Sequence, residues 1–144
     1  MVEMRSTLQI AEVALGEVQR PVAVLECLAE RDIMEAMADE YSRKILGSIV
    51  ERGKPIDQVS FENSIPISTS YRRIHELCEK GLVIIERYVV SSDGKREAIY
   101  RSTLRGAKIE FESGKFRALG ALNDQIPNIS FRMWQFAQSR RNPQ

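Results

Sequence analysis

The sequence predicts an α+β fold, with helices up to about residue 80, then two β-hairpins and a closing helix. Three observations predict it. Apolar residues follow a helical spacing as far as Lys80. From Leu82 the period drops from 3.6 to 2, and the composition turns to Val, Ile and Tyr, as in a strand. Asp93-Gly94 and Ser113-Gly114 then offer tight turns between runs that can pair.

Taken in order, residues 1–20 carry a short apolar pattern (Leu8, Ile10, Val13, Leu15, Val18) with a glycine inside it. Leu8, Ala11 and Leu15 share a helical face, whereas Leu8 and Ile10 share a strand face, and both readings stand. Pro21 to Glu30 reads as a helix with Val22, Leu25 and Leu28 as its apolar positions. Asp32 can cap a following helix, in which Ile33, Met34 and Met37 are apolar. A firmer helix is expected from Asp39 to Arg52, with Tyr41, Ile45, Leu46, Ile49 and Val50 inward, ended by Gly53-Lys54-Pro55. A short helix follows from Ile56 to Asn63, with Val59 and Phe61 as core candidates.

Ser64 to Ile67 reads as a turn, and Ser68 to Lys80 as an amphipathic helix. Two helices joined through about four residues have the spacing of a helix-turn-helix. Ser68 is the expected N-cap, since its hydroxyl can satisfy a free N–H of the first turn. At about 100° per residue, Ser70, Ile74, Leu77 and Cys78 fall on one face. Ser68, Thr69, Arg72 and Glu76 fall opposite, with Tyr71, Arg73 and His75 on the flanks. Gly81 can take the left-handed conformation that stops the helix. Hydroxyls and arginines at the exposed front of a short helix suit the edge of a DNA groove.

Leu82 to Ser91 and Ala98 to Thr103 form the first expected hairpin, around Asp93-Gly94. Ala107 to Glu112 alternates apolar and charged residues, Ser113-Gly114 can turn it, and Lys115 to Leu122 can return. Pro127-Asn128-Ile129-Ser130 opens a last helix, with Phe131, Trp134 and Ala137 or Gln138 along one stripe, widened by Met133 and Phe136.

The run Pro66-Ile67-Ser68-Thr69-Ser70-Tyr71-Arg72-Arg73-Ile74, then Leu77 and Gly81-Leu82-Val83, resembles the recognition segment of winged helix-turn-helix regulators. Ile33 to Asp39 and Arg43-Lys44-Ile45-Leu46 look like the first helix of ArsR-like regulators of the archaeal type, and Asp93-Gly94-Lys95-Arg96 sits where that family places its wing. The resemblance spans Ile33 to Arg105, about half the chain. It implies a three-helix core plus a β-hairpin wing over 32–106, preceded by an N-terminal helical extension over 1–31 and followed by the second hairpin and C-terminal helix over 107–144.

The implied activity is that of a sequence-specific, double-stranded DNA-binding transcriptional regulator. Helix 68–80 would enter the major groove, and wing 92–96 would lie on the backbone or minor groove. The candidate DNA-binding residues are Ser68, Thr69, Tyr71, Arg72, Arg73, His75, Lys95 and Arg96. Arg72 and Arg73 can bond guanine O6 and N7 bidentately, and Arg72 projects furthest from the buried face. Ser68, Thr69 and Tyr71 sit where hydroxyls and free N–H groups meet phosphates. Each has a plainer reading, as the solvated face of a surface helix or the soluble tip of a hairpin. Winged-helix regulators usually bind two half-sites as dimers, so a homodimer is expected, with the N-terminal and C-terminal helices sharing the interface. The rival class is a winged-helix protein-interaction module in a transcription, replication or sorting complex.

Composition bounds the alternatives. The chain has 144 residues, 43% of them apolar, enough for one domain with a mainly aliphatic core. The net charge of +1 hides an uneven distribution. Residues 1–39 carry 3 basic and 8 acidic side chains, residues 40–106 carry 12 and 9, and residues 107–144 carry 6 and 3. The basic remainder is compatible with DNA. Cys27 and Cys78, with a single histidine, His75, fit neither a disulfide framework nor a four-ligand zinc site, so no metal and no cofactor is expected. Cys78 reads as a small buried hydrophobe. No nucleophile elbow, P-loop or dinucleotide fingerprint is present, and no enzyme is expected. No run approaches the ~18 apolar residues of a membrane span, and the first thirty residues lack a signal-peptide core. A cytoplasmic protein without a membrane partner is expected, and nothing in the polar residues defines an effector ligand.

Overall fold

In the computed structural model, which describes residues 28–141, five helices and two antiparallel hairpins make a mixed α+β fold. The elements are α1 (Glu30–Ala38), α2 (Glu40–Ser48), α3 (Ile56–Asn63), α4 (Ile67–Glu79), β1 (Val83–Val90), β2 (Arg96–Ser102), β3 (Leu104–Glu112), β4 (Lys115–Leu122) and α5 (Ile129–Arg141). The apolar pattern of residues 1–20, most of the helix expected from Pro21, Cys27 and the last three residues lie outside the described range. None of the described helices is long and apolar enough to cross a membrane.

The first two helices depart from expectation at their caps. Ala29 is extended, so Glu30 opens α1, and Asp32 lies in its first turn instead of capping it. An acidic residue there still favours the helix dipole. Asp39 is the N-cap of α2: its Oδ2 accepts from the Ser42 N–H at 2.8 Å and the Ser42 hydroxyl at 2.8 Å. This helix stops at Ser48, four residues before the expected Arg52. The carbonyls beyond it are taken by other elements. Ile49 O accepts from the Ser102 N–H at 3.1 Å. Val50 O accepts from Arg101 Nε at 3.1 Å and from Asn123 Nδ2 at 2.8 Å.

α3 has the expected bounds, but Phe61 is 87% exposed whereas Val59 is fully buried. The two are two residues apart on a helix and cannot share a face. Ser64 closes α3 in the left-handed conformation, with φ 54°. α4 starts at Ile67 with Pro66 as N-cap, so Ser68 lies in the first turn and does not cap it. Gly81 turns left-handed at φ 79° and ends this helix, as expected.

β1 and β2 pair antiparallel, from Val83 opposite Ser102 to Val90 opposite Arg96, with a bulge between Ile85 and Arg87. Lys54 bridges to Tyr100 beside them. In the turn Gly94 takes φ 85°, and Asp93 keeps negative φ. β3 and β4 pair from Leu104 opposite Leu122 to Glu112 opposite Lys115. Their two-residue turn has positive φ at both Ser113 and Gly114, the geometry that matches strand twist.

One hydrophobic core draws on residues from both sides of residue 106, among them Ile33, Ile45, Ile74, Leu104 and Met133. The inward stripe of α5 is Ile129, Met133 and the half-buried Phe136. Phe131 and Trp134, expected to lead that stripe, are 57% and 53% exposed and stack on each other at 5.9 Å. The phase of α5 is set by Ile129, which seats in the core just after left-handed Asn128 (φ 57°).

Candidate functional site

The expected polarity of α4 is present in the fold. Ser70, Ile74 and Leu77 are buried against the core, and Cys78 is half-buried. Ser68, Tyr71, Arg72 and His75 are exposed, and Thr69 is half-exposed. The Tyr71 and His75 rings meet edge to face at 6.1 Å. These side chains reach solvent because the core takes the i, i+4, i+7 face of the helix and leaves the rest.

Arg73 is placed differently. Its guanidinium turns back to the start of α2, with Nη2 donating to Asp39 Oδ1 at 3.2 Å and Nε 3.1 Å from Asp39 Oδ2. Nη1 also lies 3.3 Å from Glu76 Oε2. Burial alone would raise the Asp39 carboxyl, but the Ser42 hydroxyl and N–H and the Arg73 charge outweigh it and hold the group below the usual carboxylate value. Arg73 is thus a strut between α4 and the α1–α2 corner. Lys80 Nζ adds a second tie to α1, 3.1 Å from Glu35 Oε2. Of the two candidate base readers, only Arg72 points outward.

The β1–β2 turn presents Lys95 and Arg96 to solvent. It is braced from within: the Ser91 N–H donates to Lys95 O at 2.7 Å, and the Ser91 hydroxyl bonds to the Asp93 carboxylate. That hydroxyl is the main cause of the lowered Asp93 carboxyl. Arg96 lies over the Tyr88 ring, 3.9 Å from its centroid, a cation–π contact that restrains the guanidinium. Tyr71 of α4 and Arg96 of β2 line one shallow groove of about 150 Å³, together with Asp57, Glu97 and Tyr100. The fold therefore brings Ser68, Tyr71, Arg72 and His75 onto one helix face and sets Arg96 beside Tyr71.

Cys78 is pushed up to about 11 by burial, with a smaller contribution from Glu79, so its thiol stays protonated near neutrality. Among the described residues, no group of three or more His, Cys, Asp or Glu side chains could hold a metal ion.

Arg101, which the sequence places on the Ile99 side of its strand without any role, has one in the fold. It is 8% exposed, donates to Glu86 Oε2 at 2.6 Å and to Gln125 Oε1 at 2.7 Å, and caps the carbonyls of Val50 and Glu51. Its one sequence signal is a charge on the same strand side as the apolar Ile99. No family model, curated protein or solved structure matches the chain.

Proposed function

We propose that this chain is a winged helix-turn-helix protein that binds double-stranded DNA sequence-specifically and regulates transcription as a cytoplasmic homodimer. α2, α3 and α4 are its three-helix core, β1–β2 is the wing, and α4 enters the major groove. The observation that carries this reading is the disposition of α4: Ile74 and Leu77 face the core while Arg72, Ser68 and His75 face solvent. Arg72 is the base reader. Ser68, Thr69 and Tyr71 position the helix on phosphates, and Lys95 and Arg96 brace the wing. Arg73 holds α4 at its angle to α2 and reads no base.

The second reading, a protein-interaction module, is favoured by one observation: Ile67 and Tyr71 on α4 and Tyr88 and Val90 on β1 are all exposed. A gel shift with mixed genomic DNA at low salt separates the two. Retarded complexes that weaken steeply with added salt support the DNA reading. Absence of any complex, with no retention on heparin, favours the protein partner. Fragments selected from the source genome would then define the operator.

A further inference from the structure

A cavity of about 230 Å³ opens between α2 and the start of β3. Met37, Leu46, Val50 and Leu104 make its wall apolar, and the two arginines Arg43 and Arg105 line it as well. Among the described residues, none of its lining side chains is acidic.

Local features shape this cavity. Gly47 lies inside α2, where glycine is the poorest helix former after proline. Its φ is not positive, and a Cβ built there meets nothing within 4 Å. Neither backbone conformation nor close packing demands a glycine, but any larger side chain would grow into the cavity. Arg105 is the extra residue of a β-bulge: Leu104 pairs with Leu122 and Gly106 with Ala121. Bulges re-aim the side chain they carry. Arg43 is steadied at its place by donating Nη1 to Met37 O at 2.6 Å, which uses one of its five N–H donors.

We propose that this cavity binds a small amphipathic carboxylate, its apolar body against Leu46, Val50 and Leu104 and its carboxylate against the remaining donors of Arg43. The volume fits a body of roughly six to nine carbons, since an apolar cavity of about 150 Å³ takes benzene. The guanidinium fork matches a carboxylate bidentately, and an apolar wall disfavours a more highly charged anion. The inference concerns residues other than the DNA contacts proposed on α4 and the wing, and stands or falls without DNA.

The probes are 3-phenylpropanoate, the neutral 3-phenylpropan-1-ol and cationic 3-phenylpropylamine, titrated into the full chain while backbone amide shifts are followed by NMR. The acid is expected to give saturable shifts centred on residues 43–50 and 104–107 and to bind about tenfold tighter than the alcohol. Gly47→Leu, which fills the cavity, should abolish binding with the melting temperature unchanged or raised. Arg43→Gln should bring the acid down to the affinity of the alcohol. The proposal is overturned if the acid gives no saturable shift up to about 5 mM. It is equally overturned if the amine binds as well as the acid, or if folded Gly47→Leu binds undiminished.

Discussion

Arg73 of α4 is clasped by Asp39, the N-cap of α2, with Nη2 3.2 Å from Oδ1, across 34 residues of sequence. One carboxylate thus caps a helix and anchors a second one. Asp39→Ala should cost about 1–2 kcal/mol at neutral pH through the lost cap, and Arg73→Ala roughly 0.5–1 kcal/mol, the range of a partly exposed pair. Asp39 is held below its ordinary value of 3.8 in the folded chain, so the unfolded chain binds that proton more tightly. The stabilisation is therefore present at neutral pH and is lost as pH falls below that value. Urea midpoints of the natural chain and Asp39→Ala should draw together as pH falls below 3.8. A difference that stays constant as pH falls would mean that the carboxylate charge contributes nothing.

Neighbouring Arg72 has the opposite character. It is exposed, so Arg72→Ala should leave stability within about 0.5 kcal/mol. On DNA the same substitution should cost roughly 1–3 kcal/mol and relax specificity at one base position. Lys95→Ala should instead weaken all sequences alike and flatten the salt dependence by about one counterion. Binding titrations across salt, on a selected site and on mixed DNA, separate the two patterns. Identical effects from both variants would place α4 outside the groove.

Local chemistry explains which parts of this fold were legible in the sequence. The bounds of α3, the Ser113-Gly114 hairpin and the Gly81 stop are written in turn and cap residues, and all three appear as expected. Faces of short helices were harder to read. Phe61, Phe131 and Trp134 look like core by size, yet the core selected Val59, Ile129 and Met133 by position. Partners remote in sequence were not legible at all. Asp39 and Arg73 each have a local reading, as a helix start and a groove contact, and only the fold joins them. The cavity at Arg43 and Gly47 needed the start of β3 to come near α2, a juxtaposition no periodicity encodes.

Arg101 is the most heavily bonded side chain that local reading passed over. It joins β2 to Glu86 of β1, to the carbonyls after α2 and to Gln125. Arg101→Ala would leave Glu86, itself only 16% exposed, with Arg87 Nη1 at 2.8 Å as its remaining cation, and the lost charged hydrogen bonds should cost about 1.5–3 kcal/mol. Arg101→Lys should recover little, because one ammonium cannot replace a planar fork that bonds four acceptors. Urea unfolding with an unchanged slope and a lowered midpoint is the expected signature. A loss below about 1 kcal/mol for Arg101→Ala would show that the network stabilises no more than a surface pair.

Gly81 and Phe136 couple the end of α4 to α5. Gly81 has φ 79°, and a Cβ there would lie 2.6 Å from Phe136 Cε1. Gly81→Ala is therefore strained twice, by its backbone and by the ring. It should destabilise by more than the roughly 1 kcal/mol that a left-handed residue alone costs. Phe136→Ala opens space at that Cβ but forfeits the ring's own packing. If the ring is the second source of strain, the double variant should be less destabilised than the sum of the single ones, with a coupling of about 0.5 kcal/mol or more. Strict additivity in a double-mutant cycle of thermal or urea midpoints would confine the glycine's role to its backbone conformation.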